Sequence, residues 1–207
     1  SLAGCGDKPE VRSLCLQSLE QFLSYTNKIH LKYDYQIRNY EIFFRKVEAL
    51  SLHPDSFRRL AGLMSLKLVV GQIISSDNLL YSLFYDTCYY FFLFTRKNEK
   101  NETGQNNQDS IQYCDEIYQA IQTILLKKSS LFVGHNNESS KFTSINDLYV
   151  YLQKNLFSPE TSFREYSMKL WLKIRNELPQ LVTSEALKHS LNFLDGDFVA
   201  QEEDIIF

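Results

Sequence analysis

Large apolar residues return at every third or fourth position over most of the chain, the spacing that lines one face of an α-helix, and seven to eight helical segments can be marked off on it. The first opens at Asp7-Lys8-Pro9-Glu10, an N-cap with a proline in the first turn and an acid three residues after the cap. Its expected buried stripe is Val11, Leu14, Cys15, Leu19, Phe22 and Leu23. A second segment, from about His30 to Leu50, carries Tyr33, Ile37, Tyr40, Phe44 and Val47. His53-Pro54-Asp55 stops it and starts a third, from Ser56 to about Ser75. Asp77 can cap a fourth, Asn78 to Phe94, which is apolar almost all round and therefore belongs at the centre of the core. The fifth runs from Ser110 to about Lys128 on Ile111, Cys114, Ile117, Tyr118, Ile121 and Leu125. Ser144-Ile145-Asn146-Asp147 has the form of a capping box and opens a short sixth helix to Phe157. Ser158-Pro159-Glu160 opens a seventh with Phe163, Tyr166, Leu170, Trp171 and Ile174, which Pro179 terminates. Ser184 to Leu194 makes a last short helix, stopped by Asp195-Gly196. The deepest core positions on these faces are Leu63, Leu66, Leu83, Phe84, Phe91, Ile121, Leu170 and Trp171.

The intervening segments carry the opposite signal. Residues 97–109 and 134–141 hold no large apolar residue, so burial cannot offset the entropy of ordering them, and both are expected to be flexible loops. Only 7 Gly and 4 Pro punctuate 207 residues, too few for a sandwich or barrel that turns every 8–12 residues. The fold class is all-α, with residues 1–196 as one helical domain and 197–207 as an acidic, apolar-flanked tail. In that tail Phe198, Ile205 and Phe207 surround Glu202-Glu203-Asp204, a pattern suited to docking in a partner's groove. With Ser1 in first place and no initiator Met, the chain is expected to be a piece of a longer protein.

Composition narrows the function by exclusion. Net charge is -3, but it is unevenly placed: residues 1–100 carry 13 basic and 10 acidic side chains, residues 101–207 carry 9 and 15. The basic excess is densest from Lys28 to Lys67, a stretch that offers a nucleic-acid face as the alternative to a protein partner. The most hydrophobic run, Leu79 to Phe94, is broken by Asp86 and falls short of the roughly 20 residues that span a bilayer. No pair among Cys5, Cys15, Cys88 and Cys114 has C-x2-C spacing, and His30, His53, His135 and His189 are scattered, so no metal site is expected. Free thiols in apolar helical stretches suit a reducing compartment, the cytoplasm or nucleus, which leaves the triplets Asn101-Glu102-Thr103 and Asn137-Glu138-Ser139 as chance sequons. The seven glycines are too dispersed for a phosphate-binding loop, and no serine sits in a G-x-S-x-G elbow. No catalytic residues, cofactor or small-molecule substrate are assigned, and the chain is read as a non-enzyme.

Three helix openings look alike. Pro9 is followed by Val11-Arg12, Leu14 and Cys15; Pro54 by Phe57-Arg58, Leu60 and Ala61; Pro159 by Phe163-Arg164, Tyr166 and Ser167. Val11 and Phe57 are 46 residues apart, within the range of two-helix repeats. On these residues the chain resembles the HEAT/armadillo helical-repeat proteins, over about three helices. The resemblance implies a superhelical stack, with an irregular helical bundle as the alternative, and a row of second helices open to a partner. That reading makes the chain a protein–protein interaction scaffold and a subunit of a larger complex. Arg12, Arg58 and Arg164 would stand at equivalent positions, with Arg59 and Lys67 beside the middle one, a basic row for an acidic peptide. A fainter resemblance to the cyclin box covers residues 29–93 through LHPDSFRRLAGLMSLKLVVGQI. Cyclins place a Lys near the end of that helix to meet the kinase, where this chain has Val70, Gly71 and Gln72.

Overall fold

A computed structural model describes residues 8–28, 33–97, 105–134, 137 and 140–188. They form seven α-helices and no strand: α1 (Pro9–Lys28), α2 (Tyr33–Ser51), α3 (Ser56–Ile74), α4 (Asp77–Lys97), α5 (Gln105–Lys127), α6 (Ile145–Lys154) and α7 (Thr161–Glu177). Short 3-10 turns follow α5 at Ser129–Phe132 and α7 at Pro179–Leu181, and residues 184–188 are again helical. The all-α class expected from periodicity is the class observed.

Local chemistry explains most of the ends. Asp55 caps α3 by accepting from the Phe57 N–H at 2.9 Å. Ser144 caps α6 by accepting from the Asp147 N–H, while the Asp147 carboxylate accepts from the Thr143 N–H, so the expected box forms with its acid reaching one residue further back. At α4 the hydroxyl facing the first turn is that of Ser76, near the Leu79 N–H, and Asp77 instead accepts from the Lys128 ammonium. Helix α5 starts at Gln105, five residues ahead of the expected Ser110. In the second polar stretch, Asn137 donates its side-chain amide to the Ser82 carbonyl and the Lys141 N–H donates to Asp86, which ties both residues to α4.

The core sits where α3 and α4 cross. α3 packs against α1, α2, α4 and α5; α4 also touches α2, α5 and α7, and α6 pairs with α7. All eight expected core residues are buried: Leu63, Leu66, Leu83, Phe84, Phe91, Ile121, Leu170 and Trp171. α4 is as deeply buried as its all-round apolar pattern requires, but α3 shares the centre with it, buried from Arg59 to Leu66 and again at Val69, Val70 and Ile73. The close approach depends on Gly62, where an added Cβ would lie 2.7 Å from the Phe94 ring and 2.9 Å from the Leu50 Cβ. Aromatic rings knit the layers: Phe44 stacks on Tyr90 at 5.2 Å, Tyr149 on Trp171 at 5.7 Å, and Phe91 meets Tyr166 edge-on at 5.4 Å.

One expected face is placed differently. On α1, Leu23 is buried and Cys15 and Leu19 are partly covered, but Val11, Leu14 and Phe22 are exposed. Among the described elements, α1 packs chiefly on α3, which leaves part of its apolar circumference open.

Candidate interaction surface

The helix entries at Pro54 and Pro159 are built alike. Each runs proline, acid, hydroxyl residue, two further residues and arginine: Pro54-Asp55-Ser56 to Arg59, and Pro159-Glu160-Thr161 to Arg164. The Arg59 guanidinium donates to the carbonyls of His53 at 2.9 Å and Pro54 at 2.7 Å. Arg164 donates to the Ser158 carbonyl at 2.7 Å. In both cases the guanidinium folds back six residues and ties the connecting turn to the first turn of the helix. The bonding therefore makes Arg59, rather than Arg58, the counterpart of Arg164. In this register the small residue matching Ser167 is Gly62, and both are buried, as is Ala61.

This assignment separates the expected basic row. Arg59 is only 6% exposed and is engaged by the turn. Arg58, its neighbour in sequence, projects to solvent, where it meets the His53 ring at 2.9 Å and lies 3.8 Å from the Asp55 carboxylate. Lys67 is half-buried, pairs with Glu116 of α5 and sits 5.0 Å from the centre of the Tyr113 ring. The Lys67 ammonium and the Gln112 amide hold the Glu116 carboxyl below the usual carboxylate range. Arg12 is half-buried on α1. Within the row, Arg58 alone is exposed. Phe198, Ile205 and Phe207 lie outside the described residues.

Two surface features were not read from the sequence. An open groove runs between α5 and α7, walled by Asp115, Tyr118 and Gln122 on one side and Lys169, Leu172 and Lys173 on the other. Asp115 of this wall accepts from the buried Tyr166 hydroxyl at 2.7 Å, and Gln122 donates to the Tyr118 hydroxyl. Burial pushes the Tyr118 phenol up to about 12, so it is a neutral hydrogen-bonding group at any physiological pH. The other is the apolar stripe on α1. Its signal was present in the sequence, but periodicity cannot say which of two adjacent apolar faces a neighbour covers.

Among the described residues, no group of three or more His, Cys, Asp or Glu side chains is arranged to hold a metal ion. Cys88 and Cys114 are buried, and desolvation keeps the Cys88 thiol protonated. No described helix is long and apolar enough to cross a membrane.

No family model and no solved structure matches the chain. Among curated proteins, the chain is similar to the DNA-dependent protein kinase catalytic subunit of Gallus gallus, with 22% identity over 175 residues that take in 82% of this chain. The chain spans only 4% of that relative's length.

Proposed function

We propose that this chain is a non-catalytic, HEAT/armadillo-like segment of a larger protein, and that it serves as an interaction scaffold for a protein partner inside the cell. The observation that carries the reading is the repeated helix entry, in which Arg59 and Arg164 make the same return contact at the openings of α3 and α7. Repeats of this kind bury their apolar faces against neighbouring helices and leave one row of helices for partners. The similarity to a small part of a very long protein supports the same reading, because long helical stacks are assembled from many such segments.

The relative's name speaks of DNA, which makes duplex binding the competing outcome. The basic stretch 28–67 is weaker than its composition suggests, since Arg59 is engaged in a turn and Lys67 is paired with Glu116. Arg38, Arg45, Lys46 and Arg58 remain exposed. Fluorescence anisotropy with a generic duplex at low and moderate salt separates the two. The scaffold reading expects little binding, together with a protein recovered in fixed stoichiometry on affinity purification and weakened by Arg58→Glu. Tight duplex binding that falls steeply with salt overturns it.

A further inference from the structure

Helix α2 sorts its side chains by charge. Tyr40, Phe44, Val47 and Ser51 form its buried row. On nearly the opposite side, Arg38, Ile42, Arg45, Ala49 and Leu52 are spaced four, three, four and three residues apart. All five are exposed, Ile42 and Leu52 by 50% and 51%. Lys46, also exposed, borders this outer row beside Ile42 and Ala49. The two acids between Arg38 and Leu52 lean towards α4 instead: Glu48 lies 3.5 Å from the Tyr90 hydroxyl, and the Glu41 charge acts on Asp86. Arg38, Arg45 and Lys46 form no ion pair among the described residues. On α7, by contrast, Lys169 and Lys173 are matched by Glu165 and Glu177 of their own helix.

We propose that this outer row of α2 docks an acidic segment of a protein partner, one in which apolar residues are interleaved with the carboxylates. The inference rests on the scaffold reading and names the chemistry of its partner. Charge complementarity selects the occupant. Three cations with no acid in the row leave a positive strip that carboxylates neutralise, and each arginine can meet a carboxylate with two parallel N–H donors. The aliphatic side chains decide between kinds of anion. Ile42 stands between Arg38 and Arg45, where a phosphate backbone would set it against charged oxygens and water. An amphipathic peptide covers it with apolar side chains of its own. Two large aliphatic residues with no aromatic beside them in the row are too few to hold the helix in a lipid surface. From Arg38 to Leu52 the row is roughly 21 Å long, about four helical turns, the length of one short recognition segment.

Fluorescence anisotropy on the 207-residue chain tests this with a labelled synthetic peptide of about four helical turns that presents glutamate and leucine along one face. The peptide should bind, and its affinity should fall as salt is raised. Replacing its glutamates by glutamine should weaken it about tenfold or more. Charge reversal by Arg38→Glu, Arg45→Glu and Lys46→Glu should cost a similar factor, and Ile42→Ser with Leu52→Ser a smaller one. Both variants should melt within a few degrees of the parent chain, because every changed position is exposed. If the reversed chain does not fold, Arg38→Gln with Arg45→Gln removes charge without adding repulsion and should still weaken the peptide several-fold. No measurable binding of the peptide, or binding that ignores the row, overturns the proposal. So does tighter binding, through the same cations, of a generic duplex or of phosphatidylserine vesicles. A stoichiometric protein partner that the reversed chain still retains would sink this inference and leave the scaffold reading standing. A row that binds the peptide in a chain that recovers no partner would do the reverse.

Discussion

Replacing Arg59 by alanine tests the return contact at the entry to α3. Its guanidinium makes two hydrogen bonds to backbone carbonyls, at 2.9 and 2.7 Å, from a side chain almost wholly removed from solvent. A hydrogen bond to a charged group contributes about 1.5–3 kcal/mol. Both bonds here come from one nitrogen, and the freed carbonyls at a turn can be reached by water, so the two together are worth about 2–4 kcal/mol. For a chain of this size that is a fall in melting temperature of roughly 5–15 °C. Arg58→Ala supplies the internal control: the same side chain one position earlier, exposed, expected to move stability by less than about 0.5 kcal/mol. Arg164→Ala, with one strong bond and partial exposure, should fall between them at about 1–2 kcal/mol. Arg59→Lys keeps the charge but loses the planar fork, and should recover only part of the loss. Urea titration followed by circular dichroism at 222 nm ranks the four variants. If Arg59→Ala and Arg58→Ala agree within about 0.5 kcal/mol, the return contact does not hold the turn and the equivalence of Arg59 with Arg164 has no energetic meaning. The same geometry predicts that charge reversal at Arg59 collapses the entry to α3, so a surface test of partner binding has to be made at Arg58.

Three further outcomes follow from the packing. Gly62→Ala should destabilise by about 1–3 kcal/mol despite alanine's better helix propensity, because the new methyl meets Phe94 and Leu50; a neutral or stabilising result in the urea midpoint would mean that the crossing of α2, α3 and α4 is looser. Trp171→Phe should cost less than about 1.5 kcal/mol against about 3–5 for Trp171→Ala, since the buried indole N–H has no protein acceptor among the described residues; equal losses in thermal melts would show that the N–H is bonded. Asp86 is raised above the usual carboxylate range, by burial first and by Glu41 as well, against the pull of Lys141. The folded state therefore holds that proton more tightly than the unfolded chain, and stability from this group is highest below the ordinary carboxylate pKa and is lost as pH rises through the raised one. Asp86→Asn, which can still accept from the Lys141 N–H, should flatten that decline and leave the protein at least as stable at pH 7; a clear drop in melting temperature at pH 7 would refute this.

The basic row shows how far sequence reading reached. Arg12, Arg58 and Arg164 share a pattern of proline, apolar residue and arginine, and the pattern did point to two real helix entries. It aligned the wrong arginine of the Arg58–Arg59 pair. Both residues follow Pro54 closely, and only the path of the turn determines which one can reach the carbonyls six residues back. Likewise, the positive stretch 28–67 is a property of composition, while the removal of Arg59 and Lys67 from it depends on a turn and on Glu116, 49 positions away.

The sequence by itself determined the all-α class, the helix limits at Asp55, Ser144 and Pro179, and the eight deepest core residues. Each of these rests on interactions within a few residues, such as the 3.6-residue repeat of apolar side chains and caps that bond their own first turn. Only the tertiary structure decided which apolar faces stay open. Val11, Leu14 and Phe22 are as hydrophobic as Leu23, and their exposure reflects how few helices surround α1, not what α1 is made of. Burial is a property of the neighbours a face acquires, and those neighbours come from parts of the chain whose distance in sequence leaves no local mark.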